Sequence, residues 1–283
     1  MTSRKKVAYQ GVKGAYSHLA CFHVYPNYEA IACKSFDDTM YLVEENKADM
    51  AMIPMENSTA GRVEEIYRLI PKMKLYVVAE HFEPVNHCLL AIPGSSIKDI
   101  LSVSSHPQAL AQCKQNIEKN NFTAKAKFDT AGSAEELFLM QDKTHSAIAS
   151  SLAAKIYNLD ILDESFQDLK NNTTRFLILS KEYSVPKFEK DSSYITSVIF
   201  EVSNIPAALY KVLGGFATNS VNIIKIESYA SNGTLSLSQF HIDIDGHPQE
   251  QNVKRALEEL AYFANSVKML GTYIPHPLRD TLC

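Results

Sequence analysis

The sequence predicts an α/β module followed by a small α+β module of ferredoxin-like, β-α-β-β-α-β order. Three observations predict it. From Val7 to about Ser180, short apolar runs alternate with segments whose apolar residues recur at helical spacing. Across residues 181–193, "KEYSVPKFEKDSS", the texture turns charged and polar with one proline, as a linker does. Beyond it the order changes to strand, helix, two strands, helix and strand. At 283 residues the chain suits two domains, and the composition divides it into residues 1–182 and 194–275.

The elements follow in order. "KVAYQ" reads as a strand, followed by a turn with Gly11 and Gly14 and a helix opening at Ser17. "ADMAMIP" is a strand ending in "ENSTAG", and Val63, Ile66, Tyr67 and Ile70 then recur at i, i+3, i+4, i+7. "HCLLAIP" leads to "ILSVSSHP" and a helix whose apolar stripe is Leu110, Cys113 and Ile117. "SAIAS" precedes the helix "SLAAKIYNL". Such alternation argues for parallel strand pairs, with ligands at the carboxyl ends of strands. After the linker, strand "YITSVIFEV" leads to a helix starting near Pro206, where proline is tolerated. Strand "VNIIKIESYA", a hairpin signal in "SNGT" and strand "LSLSQFHIDID" come next. A helix with Val253, Leu257 and Leu260, then "VKMLGTYI", closes the module. Leu235 and Leu237 share one parity while Phe240, Ile242 and Ile244 share the other, which predicts a bulge near Gln239.

Bulk properties exclude several classes. A net charge of -4 leaves no electrostatic footprint for nucleic acid or an anionic membrane. No window approaches eighteen apolar residues, so no membrane span is expected. "MTSRKKVAYQG" runs into a strand without the apolar region of a signal peptide. The five cysteines are scattered without CxxC spacing, which argues against a disulfide framework or zinc site and for idle thiols in a reducing cytoplasm. "GVKG" is only GxxG, and neither GxGxxG nor GxxxxGK[ST] is present, so no nucleotide cofactor is expected.

Four polar knots stand at predicted strand ends. In "PMENSTAGRVEEI", Asn57, Ser58 or Thr59 would each cap the next helix. Yet one helix needs one cap, and here Glu56 and Arg62 add to the cluster. In "SSHPQALAQC", Ser105 and Gln108 have capping-box spacing, and Ser105, Gln108 and Gln112 share a polar stripe that faces either solvent or a cleft. In "FDTAGSAEELF", Thr130 ends a strand segment, with Ser133 and Glu136 as a second box. "NNTTRFLILS" sets two amides, two hydroxyls and Arg175 against a buried run. A lone arginine there is ordinarily a surface cation, but its planar fork also grips a carboxylate bidentately. Together these knots supply hydroxyls, amides, an imidazole (His106), helix N-termini and a cation. No nucleophile–base pair, metal cluster or phosphate loop accompanies them, so the set suits a small, polar, carboxylated molecule.

"DMAMIPMENSTAG", "SSHPQALAQC", "FDTAGSA" and "NNTTRF", in this order and spacing, resemble the prephenate dehydratases, and the second module resembles the ACT regulatory domain that accompanies them. The resemblance covers about residues 5–277. It implies a catalytic module of two lobes around a cleft, like those of periplasmic binding proteins, in the monofunctional form without a chorismate mutase segment. It further implies conversion of prephenate to phenylpyruvate, water and carbon dioxide in phenylalanine biosynthesis, with no cofactor or metal, since aromatisation drives the reaction. By motif match, Thr174 and Arg175 are catalytic, Arg175 gripping a substrate carboxylate. Asn57, Ser58, Thr59, Ser105, Gln112, Thr130 and Phe176 line the substrate site, Phe176 by packing. Glu56, His106 or water is the proton source. The phenylalanine-site motifs appear here as Ala207, Ala208 and Leu209, with a glycine replaced, and as Glu227, Ser228, Tyr229 and Ala230, with Arg-Pro lost. A homodimer or homotetramer with phenylalanine as effector is the corresponding expectation. Arogenate dehydratase, a non-catalytic solute-binding module and a regulatory protein with a decayed first module are the alternatives.

Overall fold

The computed structural model describes residues 4–230 and 237–279. Three sheets organise the chain. In the first, the strands run in the order Glu29–Cys33, Lys6–Gln10, Met50–Asn57, Thr173–Ser180 and Tyr76–Pro84, with Gly61–Arg62 paired to the end of Met50–Asn57. The first three are parallel, as alternation predicts, but Thr173–Ser180 lies antiparallel between its two neighbours. In the second, the order is Asp160–Asp163, Cys88–Ala91, His145–Ala149, Ser102–Ser105 and Thr123–Ala126. Chain from the far end of the second sheet therefore returns to the centre of the first. The two sheets form two lobes joined by Tyr76–Pro84 running out and Thr173–Ser180 running back.

The third sheet has the order Ile223–Ala230, Leu237–Asp245, Ile195–Ser203, Ser266–Tyr273, all antiparallel, with helices Ala208–Thr218 and Gln251–Phe263. One face packs on these helices through Phe200, Val198, Phe240, Ile242 and Ile244. The other face does not meet water. Ile195, Ile199, Leu270 and Tyr273 join the core of the first lobe with Val77, Leu177 and Leu179. Double coverage also explains the two parities seen in Leu237–Asp245. Phe240, Ile242 and Ile244 serve one face, while buried His241 and Asp243 serve the other. The expected bulge near Gln239 is absent from the ladder to Ile195–Ser203, which runs without a shift; the shift falls between Ile223 and Lys225 on the neighbouring strand. The "SNGT" hairpin and Leu235 lie outside the described residues.

Several local expectations are corrected by how caps are placed. The stripe Leu110, Cys113, Ile117 is carried by two short helices, Pro107–Gln112 and Lys114–Lys119, that meet at Cys113. Helix Thr130–Met140 begins at Thr130 rather than after it, because the Asp129 carboxylate accepts from the Gly132 N–H and supplies the cap. His106, not Ser105, caps Pro107–Gln112, its Nδ1 accepting from the Gln108 N–H. Ala207 precedes helix Ala208–Thr218 in the left-handed region with φ 62°, the conformation for which the family motif's glycine is suited. Cys21, Cys33, Cys88 and Cys113 are buried and unbridged.

The third sheet approaches the first most closely at Gly271. A Cβ there would lie 2.0 Å from the Val77 carbonyl oxygen, so only glycine allows strand Ser266–Tyr273 to cross Tyr76–Pro84. Gly271→Ala is expected to cost at least the 1–3 kcal/mol typical of overpacking, about several degrees of Tm. Scanning calorimetry of the variant checks it.

Candidate active site

Pleating decides which residues of the polar knots can share a site. Successive side chains of a strand point to opposite faces. Thr174 sits opposite Asn57 in the ladder, and Arg175 opposite Glu56. Thr174 and Asn57 therefore face the gap between the lobes, while Arg175 and Glu56 face the third sheet.

On the inter-lobe side lies a cavity of about 370 Å³ lined by Tyr16, Asn57, Arg62, His87, His106, Gln108, Gln112, Thr130, Asn172 and Thr174, with apolar neighbours. Among the described residues, the lining contains no carboxylate and one permanent cation, Arg62. A continuous hydrogen-bond network crosses from lobe to lobe. Asn57 Nδ2 donates to Thr174 Oγ1 at 3.0 Å and to Asn172 Oδ1 at 2.6 Å. Asn172 Nδ2 donates to Gln112 Oε1 at 3.1 Å, and Gln112 Nε2 donates to Thr59 Oγ1 at 2.7 Å. The same Gln112 Oε1 accepts from His87 Nε2 at 2.7 Å, and the Tyr16 hydroxyl lies 2.8 Å from His87 Nδ1. His87 thus carries its proton on Nε2, and the Tyr16 hydroxyl sits between two acceptors, His87 Nδ1 and the Asn86 carbonyl oxygen, each at 2.8 Å. Burial pushes the His87 pKa down and the Tyr16 phenol well up, so both are neutral near pH 7.

The "ENST" segment is not a helix cap. The helix that follows, Glu64–Leu69, is preceded by Val63 and has no side-chain cap. Asn57 Oδ1 instead accepts from the backbone N–H groups of Thr59 and Ala60, folding the segment into a turn that presents Thr59. Because Thr174 Oγ1 accepts from Asn57, its own hydroxyl hydrogen is free to point into the cavity.

Other expected site residues lie elsewhere. Phe176 is buried in the core with Tyr9, Cys21, Met52 and Ile178, where it packs rather than lines. Ser105 is fully buried and donates to the Ile148 carbonyl oxygen. Ser58 hydrogen-bonds the backbone at Asn171 and Thr173 on the opposite side of the strand, bordering a second cavity of about 760 Å³ shared with Glu56, Arg62, Arg175 and Glu227. Glu227, expected at an effector site, holds Arg62 NH1 at 2.9 Å. Tyr16, His87, Gln108, Asn172 and Arg62 are the polar lining residues that the motif match did not assign to the site. Asn172 stood in the quoted "NNTTRF" and was passed over for its neighbours. Tyr16 and His87 are ordinary residues at element edges, and only the fold brings them to the cleft.

Arg175 is the largest correction. Its guanidinium, 3% exposed, donates from Nε to Glu80 at 2.9 Å, from NH1 to Glu56 at 3.1 Å, and from NH2 to Asp243 at 2.9 Å and the Tyr273 hydroxyl at 3.0 Å. A fork already holding three carboxylates is not a free grip for a substrate carboxylate. Glu56 also pairs with Lys225. Burial pushes Glu56 up, but Lys225 and Arg175 outweigh it and hold the carboxyl below its ordinary range, which makes it a poor proton source. Asp243 is likewise pushed up by burial yet held far below its ordinary value by Arg175 and His241.

The profile of the prephenate dehydratase family matches residues 7–184. A bifunctional N-acyl-homoserine lactone acylase/prephenate dehydratase of Komagataeibacter europaeus is 41% identical across 99% of both chains. Arogenate dehydratase 2 of Petunia hybrida is 39% identical over 96% of this chain and 72% of its own. The crystal structure of the Arthrobacter aurescens prephenate dehydratase in complex with L-Phe superposes with a TM-score of 0.85 at 30% identity, covering 95% of this chain and 89% of that one.

Arg175→Met is expected to lower stability by about 3–5 kcal/mol, since it removes the cation that buried Glu80 and Asp243 share. Urea unfolding measures it. Asp243 and Glu80 both have depressed folded pKa values. Their contribution is therefore complete above the ordinary carboxyl pKa near 4 and is lost as pH falls from there toward the folded values. Chemical unfolding at pH 7 and at pH 3 should show that loss, and an Asp243→Asn variant should lose less between the two.

Proposed function

The chain belongs to the prephenate dehydratase family, and on that premise we propose that the inter-lobe cavity is where prephenate loses carbon dioxide and water to give phenylpyruvate. The protein is a decarboxylating dehydratase. The observation that carries the assignment to this cavity is its lining. Hydroxyl, amide and imidazole groups converge with one cation and no carboxylate, the environment a dianion with a ring hydroxyl requires.

In the reaction the bond to the ring carboxylate breaks and its electrons enter the ring. The opposite C–OH bond breaks in turn, and a proton must reach the departing oxygen. Thr174 directs its hydroxyl hydrogen to that oxygen, with Asn57 and Asn172 fixing its rotamer. Threonine is too weak an acid to supply the proton itself. With Nδ1 accepting the Gln108 N–H, His106 presents an Nε2–H that hydrogen-bonds the departing hydroxide in the cavity, and water supplies the proton. Arg62, held at Nε by Glu64 and at NH1 by Glu227, presents its remaining NH2 to a substrate carboxylate, the role expected of Arg175. Gln112 ties the lobes together through His87, Asn172 and Thr59. Positioned acids of this kind contribute about 10²–10⁴-fold.

The third sheet is assigned to an ACT-type regulatory module, residues 194–275, with phenylalanine as effector, the amino acid held by the Arthrobacter relative. Its strand Ile223–Ala230 lies at the sheet edge, which suits side-by-side pairing of two copies. Arogenate is the alternative substrate, carrying an amine where prephenate has a keto group, and the Petunia relative bears that name.

Purified protein incubated with prephenate should yield phenylpyruvate, and kcat/KM should exceed that for arogenate. Thr174→Val should keep most prephenate affinity and lose about tenfold or more in kcat. Arg62→Leu should raise KM about tenfold or more with kcat little changed; an unaltered KM would remove Arg62 from the site. Calorimetric titration should detect phenylalanine binding below millimolar concentration, and silence there would remove the effector assignment alone.

A further inference from the structure

A second cluster of chemistry-bearing side chains lies outside the cavity. His23, near the end of helix Tyr16–Val24, and His81 and Glu83, on one face of strand Tyr76–Pro84, converge at a single point. His23 Nδ1 is 2.9 Å and His81 Nε2 2.8 Å from the same oxygen, Glu83 Oε2. One donor atom from each residue lies within 4.8 Å of the others. No cysteine or histidine spacing in the sequence announces this set, because the third residue comes from an element 58 positions earlier than its nearest partner, His81 − His23.

We propose that His23, His81 and Glu83 form a site for one divalent transition-metal ion of the zinc class. Two imidazole nitrogens and a carboxylate oxygen are the donor set that such ions take with a position left open. Glu83 is 2% exposed, and its carboxylate hydrogen bonds, among the described residues, are to these two imidazoles. A buried carboxylate needs a compensating charge. A divalent ion supplies it. Metal–ligand bonds of about 2.0–2.1 Å place tetrahedral donors about 3.3 Å apart, so loading opens the present contacts by about 0.5 Å. His23 can make that movement, since its side chain is 48% exposed at a helix end.

The site has a defined place in the molecule. The helix that supplies His23 begins at Tyr16, which lines the inter-lobe cavity, and Glu83 stands opposite Thr174 in the ladder. A bound ion therefore pins helix Tyr16–Val24 to the strand beside Thr174.

The test uses the untagged full chain, stripped with a chelator and titrated with Co²⁺ under visible absorption, with Zn²⁺ in competition. The expected result is one Co²⁺ per chain with d–d bands displaced by Zn²⁺, and a higher Tm with Zn²⁺ than without. His23→Ala, at a half-exposed position that leaves the core untouched, should weaken Co²⁺ binding at least about tenfold and abolish the Zn²⁺-dependent Tm shift. Glu83→Gln should do the same if it folds. Absence of a one-to-one complex overturns the proposal. So does His23→Ala binding within twofold of the parent, or a thiolate charge-transfer band marking cysteine ligands.

Discussion

The buried guanidinium of Arg175 is the interaction on which the arrangement of the molecule turns. It joins five strands: its own, that of Glu56 on one side, that of Glu80 on the other, and those of Asp243 and Tyr273 in the third sheet. Burying charges at this density is costly unless every lone pair and proton is used. The network comes close to that condition, with buried His241 Nδ1 left without a hydrogen-bond partner among the described residues. Ser197 donates to Asp243 Oδ1, and Arg279 and the His276 N–H bind Glu80. The result fixes the register of the second module on the first rather than adding stability for its own sake.

Thr174, next in the chain, inherits that rigidity. The strand Thr173–Ser180 has partners on both edges and cover on both faces, so its Thr174 end cannot shift without moving Arg175. One residue thus faces the cleft while its neighbour faces the second module. The cleft side is a neutral amide and hydroxyl network; the other side is a dense ionic one. The pleat sets Glu56 and Asp243 on the side away from the cleft, while Arg62 in the cavity lining is held by Glu64 and by Glu227 of the second module.

Much of this was legible in the residues. Alternating apolar runs placed the elements within a few positions, and the excess of polar groups at strand ends marked the cleft. Asn57, Thr59, Gln112, Thr130 and Thr174 were singled out in that way, and each lines the inter-lobe cavity or donates into its network. Pleat parity, applied to "TTRF", would already have separated Thr174 from Arg175. His87 and Tyr16 gave no signal, because a histidine before a strand and a tyrosine at a helix start are commonplace. Ser105 looked like a cap and is instead tied to a carbonyl across its own sheet.

The order of strands and helices, the two modules, the family and the polar groups at strand ends were determined by the sequence itself, because periodicity, turn chemistry and motif spacing are local properties of the chain. Tertiary structure alone decided that Thr173–Ser180 is the return strand between two others, that the third sheet is covered on both faces, and that Arg175 is held by carboxylates. It alone gathers His23, His81 and Glu83. The physical reason is the same in each case. Charge compensation and face coverage depend on which distant segments meet, and no short-range pattern encodes that meeting.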